Sequence, residues 1–149
     1  AAGPKEIVKA MTNIQSQSTS NPASVSQWAA VEALKGDQSA AGAMVKEFEK
    51  RRNAMVDGLN SIKGVSAFKP QGAFYVFANV AGIYGGVFKE RPIRNSLDIA
   101  NYLLDEAGVS VVPGEPFGDD ACIRLSYAAS FKNVNDGVRR IKEAAMRLS

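Results

Sequence analysis

Arg124 stands in the stretch ACIRLSYAAS, residues 121 to 130, between Ile123 and Leu125. A guanidinium stays charged in proteins and presents five N–H donors in a planar fork that fits a carboxylate with two prongs. In a strand, Arg124 shares a face with Cys122, Ser126 and Ala128, while Ile123, Leu125 and Tyr127 take the other. Those small neighbours leave room above the sheet for a guest, and they do not neutralise the cation. A buried arginine without a partner would cost on the order of several kcal/mol. Two readings stay open from pattern alone. Either the strand is at an edge and Arg124 reaches water or pairs with Glu115, Asp119 or Asp120, or it faces a cleft and receives a ligand carboxylate. Charge-assisted hydrogen bonds of the second kind are worth roughly 1.5–3 kcal/mol each.

The totals remove other chemistries. The chain has 149 residues, 46% apolar and 22% charged, a globular rather than a disordered composition. It contains no histidine, which removes a Ser-His-Asp triad, a Cys-His pair and the common histidine metal sites. The single cysteine, Cys122, forms no internal disulfide, no secretory leader opens the sequence and no apolar run is long enough to cross a bilayer, so a cytoplasmic protein is expected. Net charge is +3, and the bases alternate with acids in stretches such as KEFEKRR. That pattern is a solvated helix face, and nucleic-acid binding is not expected.

The elements that must position Arg124 follow from periodicity. Pro4 suits a first helical turn, and Ile7, Val8 and Met11 carry the apolar spacing to about Ile14. QSQSTSNPAS reads as a loop, followed by a helix from about Pro22 to Leu34 that ends at Gly36. A long helix is predicted from Asp37 to Ile62, with Met44, Phe48, Met55, Leu59 and Ile62 on one face and Gly64 as its stop. Apolar runs on either side of Lys69-Pro70-Gln71-Gly72 read as a hairpin-like pair of strands. AGIYGGVFKERPIRN reads as an irregular surface loop, and a helix runs from Ser96, as its cap, to Ala107. VSVVP is a short buried strand, GEPFGDD a turn and residues 121–127 the last strand. Val134, Val138, Ile141, Ala145 and Leu148 mark the closing helix. Helices on one face of a small, largely antiparallel sheet make an α+β two-layer unit. The first forty or so residues carry helices without strands and need another body to pack against.

PQGAFYVF, then GVSVVPGEPFG, then IRLSYAAS resemble, in order and spacing, the C-terminal part of class I aminotransferases of the aspartate aminotransferase type, which use pyridoxal phosphate. QSTSNPASVSQWAAVEAL resembles the bacterial branch of that family, and AAGP resembles the segment just after its cofactor-binding lysine and arginine. The resemblance covers essentially the whole chain. It implies an α/β protein: the α+β two-layer small domain of a fold-type I enzyme, residues 49–149, preceded by residues 1–48 as the end of the large cofactor-binding domain. It implies that Arg124 binds a substrate's α-carboxylate, and that Phe74 stands at the substrate pocket with Gly72 at the turn before it. Read from the residues, Phe74 is equally a core aromatic. The Ser18–Asn21 loop corresponds to a part of the large domain near the subunit interface, and read from the residues it caps the helix that follows.

The resemblance further implies pyridoxal 5'-phosphate held as a Schiff base on a lysine, amino-acid and 2-oxo-acid substrates, and a homodimer. None of the ten lysines lies in the expected serine-plus-lysine context, so no catalytic or cofactor-binding residue is assigned in this chain. These 149 residues by themselves are expected neither to transaminate nor to bind the cofactor covalently. The alternatives are a free-standing α+β binding or regulatory module, and a lyase or decarboxylase on the same scaffold.

Overall fold

The computed structural model describes residues 2–148. It falls into two compact units, residues 1–42 and 43–149.

The first unit holds α1, Lys5–Ser18, and α2, Ser24–Lys35, and the start of α3, Ser39–Asn60. α1 runs about a turn beyond its last apolar residue. The hydroxyls of Ser16 and Ser18 donate back to the carbonyls of Asn13 and Ile14, which satisfies polar side chains within the helix rather than in a loop. Neither α1 nor α2 contains a buried residue among those described. Ile7, Ile14, Trp28 and Leu34 are all more than half exposed.

The second unit is built on four strands: β1, Ser66–Ala67; β2, Tyr75–Asn79; β5, Val112–Pro113; and β6, Cys122–Ser126. Their order is β1-β2-β6-β5, and every pairing is antiparallel. β6 is therefore a central strand and not an edge. Val76, Ala78, Ile123 and Leu125 point inward from β2 and β6, in step with the two-residue alternation. They meet Met55, Val56 and Leu59 of α3, Ile99 and Leu103 of α4, Ser96–Ala107, and Val134, Val138 and Ile141 of α5, Phe131–Met146. Leu59, Val76, Ile99 and Ile123 are fully shielded. Burying a side chain of that size contributes about 1.5–3 kcal/mol. The other face of the sheet carries no helix of this unit. Tyr75, Phe77 and Val112 stand exposed on it.

Three local expectations change. VSVVP is not a buried strand: only Val112 and Pro113 pair, and Val112 is exposed. Proline has no N–H for a second ladder, so β5 belongs at the edge. Ser96 does not cap α4. Asn95 is the cap, its side chain accepting from the Asp98 N–H, and Ser96 is buried one residue inside. The stretch after β2 is not wholly irregular. It contains a hairpin of β3, Val87–Phe88, and β4, Arg91–Pro92, turned by Lys89 and Glu90 at φ 47° and 65°. A two-residue turn with both φ values positive matches strand twist, but Lys-Glu lacks the Asn-Gly signature that would announce it.

Candidate functional site

Arg124 lies on the open face of the sheet. Cross-strand register puts Phe77 on one side of it and Val112 on the other. Residues directly opposite in an antiparallel pair share a face, so the three form one row. Arg124 is half-buried, and its neighbours Ile123 and Leu125 point into the core.

The guanidinium has no carboxylate partner among the described residues, and its Nε atom is buried without an acceptor. The three acids near it in sequence do not take the role allowed them. Asp119 accepts from the Ala121 N–H at 2.9 Å and lies 3.2 Å from Cys122 Sγ. Asp120 accepts from Ser96, from the hydroxyl at 2.6 Å and the N–H at 3.0 Å, and those bonds hold its carboxyl below the usual carboxylate range. Glu115 is exposed and forms no ion pair with the arginine among the described residues. Aromatic rings flank the cation instead. The guanidinium carbon is 4.6 Å from the centre of the Tyr75 ring and 4.3 Å from that of Phe117.

Phe74 is 41% exposed, so it is not a core residue. Its ring lies 4.3 Å from that of Tyr75, and Tyr75 in turn touches Arg124. The structure thus gathers Phe74, Tyr75, Arg124 and Phe117 along one surface. The turn before Phe74 is pinned from below. Tyr127 donates its hydroxyl to the Ala73 carbonyl and its N–H to that of Phe74, both at 2.9 Å. Ala73 sits at φ 58°, a left-handed conformation costly for a residue with a Cβ, which these two bonds hold in place. Gly72 has open space around it. Ser18 does not cap α2: it ends α1, and the N-cap position of α2, Ala23, makes no side-chain bond.

Sequence reading assigned no role to Tyr75 or Phe117. Tyr75 alternates onto the arginine's face only once the β2–β6 register is known. Phe117 arrives from a turn that pattern does not orient. Both Arg124 and Phe74 lie outside five surface hollows found elsewhere on the chain, of which the two largest measure about 420 and 320 Å³. The surface around Arg124 is an open platform. A carboxylate could meet the free N–H edge there, with aromatic walls beside it.

Pyridoxal phosphate does not fit the residues present. All ten lysines are exposed, and none of those five hollows brings together a lysine, an aspartate and an arginine. Among the described residues, no helix is long and apolar enough to cross a membrane.

Comparison with known proteins places the chain in a family. The probable aspartate/prephenate aminotransferase of Rickettsia prowazekii (strain Madrid E) is 45% identical over 148 residues, covering 99% of this chain and 37% of that protein. The crystal structure of the aspartate aminotransferase from Rhizobium meliloti superposes with a TM-score of 0.93 at 43% identity, over 100% of this chain and 38% of that one. The Thermus thermophilus aspartate aminotransferase with maleate superposes at 0.78 and 37% identity, over 96% of this chain and 35% of that one. The chain therefore spans well under half the length of the relatives it matches. The model of the aminotransferase class I and II family matches residues 1–141, and the chain belongs to that family.

Proposed function

We propose that these residues are part of an aspartate-type aminotransferase, in which Arg124 receives the α-carboxylate of an amino acid or 2-oxo acid. One observation carries the reading. Arg124 sits in a central strand, half-buried, with aromatic rings against it and no acid among the described residues to neutralise it. A cation kept in that state costs stability unless a ligand supplies the missing anion. The Rickettsia relative is named for aspartate and prephenate, and the Thermus structure is of the enzyme with maleate. Carboxylates run through all three names. Residues 1–48 would close the large cofactor-binding domain, and residues 49–149 would form the small domain. Pyridoxal phosphate would be held by the portion its relatives have beyond this alignment, where it serves as the electron sink of amino-group transfer. The intact enzyme would act as a cytoplasmic homodimer.

This chain's own task is orientation. A two-pronged grip on the α-carboxylate, with Phe74 beside it, fixes the amino-bearing carbon in one attitude and keeps it from tumbling. Lysine in place of Arg124 keeps the charge but loses the fork. In the full-length protein, Arg124→Lys should remove about 1.5–3 kcal/mol of substrate binding, roughly a ten- to hundredfold rise in KM for both substrates. The cofactor's absorbance should stay as it is. An unchanged KM would refute the assignment.

A further inference from the structure

Phe117 and Tyr75 touch the guanidinium in a way that a carboxylate would not. A carboxylate accepts N–H donors and uses them up, whereas a ring held against the guanidinium carbon attracts the cation through its π face and takes no donor. Arg124 retains every N–H: among the described residues it donates no hydrogen bond, and its Nε is enclosed without an acceptor. The two rings at 4.3 and 4.6 Å are its only charge-compensating contacts there.

Both rings are themselves anchored. Phe117 ends the short helical turn Glu115–Phe117, whose N–H bonds return to the Gly114 carbonyl at 2.8 Å. Gly114 lies so close to the following loop that a Cβ there would come within 2.3 Å of the Asp119 and Cys122 carbonyl oxygens. The buried Ser96 hydroxyl accepts from the Glu115 N–H at 3.3 Å while donating to Asp120, which ties this turn to the start of α4. Tyr75 is fixed by pairing with Ser126 on β6 and by the Phe74 ring behind it. Asp119 and Asp120, two of the acids that could have quenched the cation, are thus spent on building the turn that presents Phe117.

We propose that Phe117 and Tyr75 are the positioning residues of Arg124, holding its guanidinium by aromatic faces so that its N–H edge stays free for a substrate carboxylate. The inference rests on the carboxylate-binding role given to Arg124 above. It extends that role to two residues that act through the arginine, not on the reacting atoms.

The test uses the full-length holoenzyme and four variants: Phe117→Leu and Tyr75→Leu, which remove a ring, and Phe117→Tyr and Tyr75→Phe, which keep one. Each ring-removing change should raise KM for amino acid and 2-oxo acid, and the inhibition constant of succinate, by roughly three- to tenfold. The effect should fall on KM and not on kcat, with the melting temperature little moved, and the ring-keeping variants should restore parental KM. A merely structural role would lower stability and active fraction without shifting KM. If Phe117→Leu does not fold, the Tyr75 pair decides by the same ratio. Should Arg124→Lys raise KM while both leucine variants leave it unmoved, the positioning role is overturned and the arginine's role stands. Should Arg124→Lys leave KM unmoved as well, the functional reading itself has failed.

Discussion

Gly58 sits inside α3, where helix propensity alone recommends replacing it. Alanine is favoured over glycine in a helix interior by about 0.8–1.0 kcal/mol. The packing opposes this. A Cβ on Gly58 would lie 2.4 Å from Cγ1 of Val138 on α5, too near for any real contact, while the Val138 Cβ stays at an ordinary 3.5 Å. Val138 is 8% exposed, and a β-branched side chain in a helix has one strongly preferred rotamer, so it cannot swing aside. Overpacking of this kind costs typically about 1–3 kcal/mol. Because Val138 cannot yield, the upper part of that range applies, and set against the propensity gain Gly58→Ala should lose about 1–2 kcal/mol. The same substitution one helix away has the opposite sign. Gly137 lies within α5 with nothing near its absent Cβ, so Gly137→Ala should gain close to 1 kcal/mol. Urea unfolding followed by circular dichroism would measure both, and melting temperatures should move in opposite directions by several degrees. In the double variant Gly58→Ala, Val138→Ala, the two costs should be less than additive, because the second change removes the atom the first collides with. If Gly58→Ala proves as stable as the parent, the α3–α5 approach is looser than described and the reasoning fails.

Other predictions concern titrating groups and the site. Asp120 is held below its ordinary value near 3.8, first by the Ser96 hydroxyl and then by the Ser96 N–H. Its folded value lies under its unfolded one, so its stabilisation is complete above pH 3.8 and is lost as pH falls through the folded value. Asp120→Asn should therefore lower the melting temperature at pH 7 by more than at pH 3, and an equal loss at both would contradict the assignment. The Cys122 thiol is pushed up to about 11, by burial first and then by the bond to Asp119. Any stability it contributes is full below its ordinary value of 9.0 and fades as pH rises through about 11. At pH 8 it should react with a disulfide reagent far more slowly in the native chain than in urea, and equal rates would rule out the buried placement. The substrate-affinity changes at Arg124, Phe117 and Tyr75 complete the set.

The parts of the fold that were legible depend on neighbours a few residues away. The α4 span, Ser96–Ala107 with Gly108 beyond it in a left-handed conformation, follows from apolar spacing and a glycine stop. The apolar face of α5 was readable from steps of three and four residues, and so was the alternation that puts Ile123 and Leu125 opposite Arg124. The β3–β4 hairpin was not, because Lys89 and Glu90 adopt positive φ without the residue types that favour it. Ser96 misled for a related reason. A serine before an apolar run has the look of a cap, and only the arrival of Asp120, 24 residues on, explains why its hydroxyl is buried. Phe74 was identified but left undecided between core and pocket wall, since nothing local states which side of the sheet the Ala73 turn sends it to.

The amino-acid order by itself determined that Arg124 would share a strand face with small residues, because alternation is a property of the backbone at that point. It could not determine what would stand across from the cation. Asp119 and Asp120 are near in sequence and turn away to bond Cys122 and Ser96, while Tyr75, some fifty positions earlier, comes into contact through strand register. That choice belongs to the tertiary structure. Electrostatic and aromatic contacts act over a few ångströms of space, and only the assembled sheet decides which residues lie within that distance.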